Sequence, residues 1–188
     1  MNPCYDIFDA LRAKLVAFRT CQVSIPDGST APPSMMSARF DGGPVELLFR
    51  EVHDILLEHN FKNLMVSADV DDDGESALEH LSQIENEDGV ILAICTATYG
   101  EKTAYKYTSH FELQYAWDNN LNVLPLRVEE AFPPAPPCGP RHPFDKRYAA
   151  RVLLNAMFKK CKVYLDCRNL SAPEIAAMIA TRLLKAKP

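Results

Sequence analysis

The feature that most constrains the fold is an apolar run from Val90 to Cys95, near the middle of the chain. Its apolar residues are consecutive rather than alternating. A strand shows this pattern when both of its faces are buried in a parallel sheet. The run therefore predicts a central strand.

The segment after this strand contains the polar residues of a candidate functional site. A tyrosine-rich loop runs from Thr96 to Thr108, and Ser109 then stands three residues before Glu112 at the start of a second apolar run. This spacing is typical of a capping box at a helix N-terminus. The next strand is predicted from Val123 to Leu126. Ligands of open α/β sheets bind at the carboxyl ends of such strands, which makes the intervening loop a candidate site.

The rest of the chain continues the alternation of strands and helices. The segments 26–43 and Glu129 to Pro143, the latter with six prolines, show no periodicity and are predicted to be irregular. A second capping box joins Ser171 to Glu174. Apolar spacing predicts helices at Tyr5 to Phe18, from Pro44 onward, at Leu78 to Ile84, at Tyr148 to Ala156 and after Ser171, and strands at Cys21 to Ile25, Leu64 to Ala68 and Lys162 to Asp166.

This order predicts an α/β fold. We expect a single three-layer domain over residues 21–188, preceded by a helical extension over residues 1–20. Its flavodoxin-like sheet would have five parallel strands in the order 2-1-3-4-5, with helices on both faces.

Composition limits the classes of function. At 188 residues and 47% hydrophobic, the chain suits one sizeable core. A net charge of −5 without clustered basic residues argues against nucleic acid as a partner. No apolar run approaches the roughly 18 residues that span a bilayer, and the scattered cysteines have no metal-binding spacing. We therefore expect a cytoplasmic protein with reduced thiols, no membrane partner and no metal.

The middle of the chain resembles a Toll/interleukin-1 receptor (TIR) domain. The likeness consists of an apolar strand that ends in a Tyr-Gly loop, a helix with Glu-Leu-x-x-Ala, and a strand with a Val-x-Pro-Leu core. It extends over roughly Cys21 to Leu184, and the family has the sheet order predicted above. The residues that carry it are Tyr99, Gly100, Glu112, Leu113, Tyr115, Ala116, Val123 and Pro125.

The resemblance implies one of two functions. TIR domains either recruit partners by self-association or cleave the nicotinamide–ribose bond of NAD, and the catalytic glutamate of the enzymes corresponds to Glu112. It thus implies an NAD glycohydrolase or cyclase with NAD as substrate and no cofactor, acting in signalling or defence and assembling as a homo-oligomer or with other TIR domains. The alternatives are a non-catalytic TIR interaction module and a nucleotide-sensing or transferase domain. Glu112 could instead serve only the capping box.

Further residues are candidates for the substrate pocket. The helix that Pro44 opens would offer free N–H groups to a pyrophosphate, and Asp69 could reach a ribose hydroxyl. Trp117 is interpreted as core packing, and the loop tyrosines and Arg39 could also be merely structural or solvated. The predicted substrate-binding residues are Arg39, Gly42, Gly43, Asp69, Tyr99, Tyr105 and Tyr107.

Overall fold

A parallel sheet of five strands forms the centre of the fold. The computed structural model of the chain describes residues 31–39, 41–65, 75–161 and 163–185. The strands are β1 (Ser34–Ser37), β2 (Asn63–Met65), β3 (Val90–Cys95), β4 (Asn122–Arg127) and β5 (Leu165–Asp166). Their order is β2-β1-β3-β4-β5, and every neighbouring pair is parallel. The predicted fold class and strand order are confirmed.

Within the described ranges, five helices cover the two faces of this sheet. They are α1 (Pro44–Glu58), α2 (Glu75–Asn86), α3 (Ser109–Asp118), α4 (Ala149–Lys160) and α5 (Ala172–Lys185). The apolar faces of α1 and α5 pack on one side of the sheet, and those of α2, α3 and α4 pack on the other. Among the described helices none is both long and apolar enough to cross a membrane.

The position of β3 in the middle of the sheet explains its continuous apolar sequence. All six residues of β3 are buried, and it pairs with β1 on one side and with β4 on the other. Leu92 and Ile94 face α1 and α5, whereas Ile91, Ala93 and Cys95 face the opposite helical layer. Because both faces need apolar side chains, the run is continuous. The predicted bounds of this strand are confirmed.

The first strand lies in a segment that the sequence predicts to be irregular. Residues 34–37 form β1, so the interpretation of 26–43 as a continuous loop was wrong. Two serines flank two methionines, and all four residues are buried. The hydroxyl of Ser34 donates to Oδ1 of Asn63 in β2 (2.9 Å), which shows how a polar residue is accommodated in a buried strand. The predicted strand from Cys21 to Ile25 and the N-terminal helix lie outside the described residues.

One strand boundary and one burial prediction also need correction. Strand β5 covers only the last two residues of the run predicted from Lys162 to Asp166. Val152, one of the apolar residues of α4, is 64% exposed. Trp117 is 41% exposed, so its assignment to core packing was wrong. The proline-rich segment from Glu129 to Pro143 has no helix or strand, as predicted.

Candidate active site

A buried carboxylate lies where β1 and β3 end. Glu112, in the first turn of α3, is only 7% exposed. The hydroxyl of Ser37, the last residue of β1, donates to Oε2 of Glu112 over 2.5 Å. The parallel pairing of β1 with β3 brings their carboxyl ends together, and α3 begins beside them. The glutamate that the sequence singled out therefore lies at the edge of the sheet where ligands of this fold class bind.

A tyrosine completes this buried group. The hydroxyl oxygen of Tyr99 lies 3.0 Å from Oγ of Ser37, and both residues are fully buried. The aromatic ring belongs to the core layer that covers one face of the sheet. Tyr99 was predicted to bind substrate; in the structure its hydroxyl contacts Ser37, and the substrate-binding role stays a prediction.

The N-terminus of α3 is capped by a residue other than the predicted one. Oγ1 of Thr108 accepts a hydrogen bond from the N–H of Phe111 (3.4 Å), so Thr108 is the N-cap. Ser109 is inside the helix, and its Oγ accepts from the N–H of Gly100 (3.0 Å). With the helix start moved by one residue, Glu112 becomes the fourth helical residue rather than the third, a rotation of roughly 100° about the axis. The predicted Ser109–Glu112 capping box was wrong, because Glu112 points to Ser37.

Burial determines the protonation of Glu112. Loss of contact with water disfavours the charged carboxylate and raises its pKa from 4.5 to about 7, although the hydrogen bond from Ser37 acts in the opposite direction. Both protonation states are therefore populated at neutral pH. A carboxylic acid with this pKa is typical of functional sites.

A second polar group lies at the same end of the sheet. Arg39, just after β1, forms an ion pair with Glu101 in the loop after β3. Nε2 of His142, in the proline-rich loop after β4, lies 3.3 Å from the other oxygen of Glu101. Nδ1 of His142 accepts from the backbone N–H groups of Asp145 (2.9 Å) and Phe144 (3.3 Å). The ring hydrogen of neutral His142 is therefore on Nε2, where it donates to Glu101.

The proline-rich loop is anchored at its far end by Asp145. Its two carboxylate oxygens accept from the N–H groups of Ala149 (2.8 Å) and Ala150 (2.9 Å), which caps α4. Burial alone would raise the pKa of Asp145, but these two N–H groups, together with Lys102 and His110, hold it below its usual value. Asp145 is thus an ionised helix cap.

The glycine turn before α1 already has carboxylate partners. The N–H of Gly42 donates to Oε2 of Glu46 (2.6 Å), and the N–H of Gly43 donates to Oδ1 of Asp41 (2.9 Å). Glu46 is buried and also pairs with Arg50. A substrate anion would have to displace these internal carboxylates, so the role predicted for Gly42 and Gly43 stays a prediction.

Two further predicted residues, Tyr105 and Tyr107, lie in the loop after β3. Tyr105 is 80% exposed. Tyr107 packs edge-on against Phe111 with ring centres 5.3 Å apart, and the ammonium group of Lys106 lies 5.0 Å from the Tyr107 ring. Asp69 lies outside the described residues.

Three residues of this region were missed by sequence reasoning. Ser37 lies in a segment without periodicity, and Glu101 and His142 are separated by 41 residues, so no local pattern connects them. Within the described ranges, no group of three or more His, Cys, Asp or Glu residues is placed to hold a metal ion.

Comparison with known proteins adds no family assignment. No protein-family model matches the chain, and no curated protein matches it. The function has to be argued from the geometry around Glu112.

Proposed function

We propose that this chain cleaves the nicotinamide–ribose bond of NAD, with Glu112 as the catalytic carboxylate. The observation that supports this proposal is the contact between Glu112 and Ser37, which directs a buried carboxylate to the carboxyl ends of β1 and β3 rather than to the helix cap. The TIR-like sequence around Glu112 supports the same reaction.

One carboxylate is sufficient for this chemistry. The bond between C1′ of the ribose and the ring nitrogen breaks, and its electron pair goes to the cationic pyridinium, so nicotinamide leaves as a neutral molecule without a general acid. Positive charge develops on the ribose as an oxocarbenium ion. A fixed carboxylate in a site that excludes water stabilises or traps this charge. Water then attacks C1′ and releases its proton to solvent, which gives ADP-ribose; attack by a group of the substrate itself would give a cyclic product.

The protonation of Glu112 suits this substrate. Only the ionised carboxylate can stabilise an oxocarbenium ion, and in the free protein burial leaves Glu112 partly protonated at neutral pH. The positive charge of the nicotinamide ring favours the ionised form of a nearby carboxylate. Binding of NAD would thus itself generate the active state.

The test is nicotinamide release from NAD by the purified protein over a wide range of protein concentration. We expect Glu112→Gln to lower the rate by roughly 10²–10³-fold, the loss typical for removal of a preorganised electrostatic group. Glu174→Gln is a matched control, because Glu174 lies in the first turn of another helix, where it accepts from the backbone N–H and hydroxyl of Ser171.

Two results would count against catalysis by Glu112. If the folded parent released no nicotinamide at any concentration, the non-catalytic interaction module would become the better interpretation. If Glu112→Gln cleaved NAD at the parental rate, the carboxylate would have no part in the reaction.

A further inference from the structure

Three polar side chains form a continuous hydrogen-bonded chain under the candidate site. Oγ of Ser37 lies 3.0 Å from the Tyr99 hydroxyl and 2.5 Å from Oε2 of Glu112. The three residues come from the end of β1, the loop after β3 and the start of α3. Two of them are completely shielded from solvent, and the third is 7% exposed.

The number of available hydrogens fixes the direction of these hydrogen bonds. A serine hydroxyl has one hydrogen to donate, and an ionised carboxylate can only accept. When Glu112 is ionised, the hydrogen of Ser37 must point to Oε2. The contact between Ser37 and Tyr99 then requires the tyrosine to donate, so the order is Tyr99 to Ser37 to Glu112.

We propose that Ser37 is the positioning residue of the catalytic carboxylate, holding Oε2 of Glu112 through its hydroxyl, and that Tyr99 fixes the direction of that hydroxyl. The proposal rests on the proposed function and deepens it. Ser37 belongs to β1 and does not touch the substrate. Through its hydroxyl it controls the orientation and the ionisation of Glu112.

The hydrogen bond from Ser37 is the interaction that opposes the effect of burial on the pKa of Glu112. Burial and the Ser37 hydrogen bond are the two causes of the shifted pKa of Glu112. Tyr99 within the group and Cys95, an electrostatic neighbour of Tyr99, remain neutral at physiological pH because burial raises the pKa of both. On the same helix as Glu112, His110 has Lys102 and Asp145 as its charged neighbours, and Arg39 beside β1 is paired with Glu101.

Strand β1 offers a matched control for Ser37. Ser34 is in the same strand, is equally buried and also donates its hydroxyl hydrogen to a side chain, but its partner is Asn63. Ser34→Ala therefore reproduces the loss of a buried serine hydrogen bond from β1 without touching Glu112. Tyr99→Phe removes only the hydroxyl and keeps the ring in the core.

The experiment is a carbon-13 NMR titration of glutamate side-chain carboxyls, with the Glu112 signal assigned by its loss in Glu112→Gln. Ser37→Ala should raise the pKa of Glu112 by about one pH unit, the effect expected for loss of a hydrogen bond to a charged group. Tyr99→Phe should raise it by less, and Ser34→Ala should leave it unchanged. In Ser37→Ala, the acidic limb of the pH profile of kcat/KM should move by the same amount.

An unchanged Glu112 pKa in folded Ser37→Ala, or an equal change in Ser34→Ala, would overturn the proposal. If Ser37→Ala did not fold, Tyr99→Phe would decide by itself, and an unaltered titration there would reject the chain of donors. The titration needs no NAD. A shifted pKa without any nicotinamide release would therefore reject the proposed function and leave the positioning of Glu112 by Ser37 intact.

Discussion

Nε2 of His142 lies 3.3 Å from Oε1 of Glu101, and this contact joins the proline-rich loop after β4 to the loop after β3. Arg39, which follows β1, binds the other carboxylate oxygen of Glu101. One carboxylate thus links loops from three neighbouring strands at the end of the sheet where Glu112 lies. Since its partners are far apart in sequence, this link forms only when the sheet is assembled.

His142→Ala should loosen the proline-rich loop. The substitution removes the contact with Glu101 and the ring nitrogen that accepts two backbone N–H groups, at a cost of roughly 1–3 kcal/mol. Hydrogen exchange should accelerate over residues 129–148, and the melting temperature should fall. His53→Ala is the control, because His53 contacts Asp54 on α1. Equal exchange in the two variants would show that His142 does not hold the loop.

The proposed reaction should depend on pH through Glu112. Because only the ionised carboxylate is active and the pKa in the free protein is about 7, kcat/KM should rise with pH and level off above about pH 7. In the complex the pyridinium charge favours ionisation, so the acidic limb of kcat should lie at lower pH than that of kcat/KM. Steady-state rates of nicotinamide release between about pH 5 and about pH 9 would test both expectations, the rise of kcat/KM and the lower acidic limb of kcat. A flat kcat/KM over that range would exclude Glu112 as the titrating group.

Gly100 should tolerate a side chain poorly. Its φ of +77° lies in the left-handed region, and an added Cβ would approach the side chain of Leu154 to 3.3 Å. Gly42 has nearly the same φ, +76°, but open space around the position of a Cβ. Gly42→Ala should therefore cost about 1–2 kcal/mol of unfolding free energy from backbone strain, and Gly100→Ala should cost more. Chemical denaturation of both variants measures the difference, and equal costs would mean that Leu154 yields freely.

The parts of the fold that the sequence predicts well are those where one pattern dominates. Strand β3 needs apolar residues on both faces, so its six residues are recognisable without any knowledge of their neighbours. Helix α1 has a proline at its start and apolar residues at helical spacing. Strand β1 has neither kind of signal. Its two serines are stable in the core only because Asn63 and Glu112 accept their hydrogen bonds, and these partners are fixed by the tertiary structure.

The candidate site likewise has one part that the sequence predicts and one part that depends on the tertiary structure. Glu112 stands out in the sequence because it follows a buried strand and a polar loop. Its direction depends on whether Thr108 or Ser109 caps α3, and both residues are capable of that role. The structure decides between them because Ser109 is occupied by the N–H of Gly100, nine residues earlier. A local pattern could not contain that information.

The last prediction concerns the stability that the protein loses by burying Glu112. The folded pKa of about 7 lies above the ordinary value of 4.5, so between these two pH values the folded protein binds more protons than the unfolded chain. The free energy of unfolding must then fall as the pH rises through this window, by an amount on the order of 3 kcal/mol, and stay reduced above pH 7.

Glu112→Gln should remove this pH dependence, because glutamine stays neutral while its carbonyl oxygen can still accept from Ser37. Below about pH 4.5 the variant and the parent should be equally stable, since the parent carboxyl is then protonated in both states. At about pH 8 the variant should melt roughly 6–12 °C higher, on the scale of about 2–4 °C per kcal/mol for a domain of this size. Glu174→Gln, at an exposed helix N-terminus, should show no such gain at high pH. A Glu112→Gln variant that melts with the parent at every pH would mean that the buried carboxylate carries no cost, and that the raised pKa on which both pH predictions depend is absent.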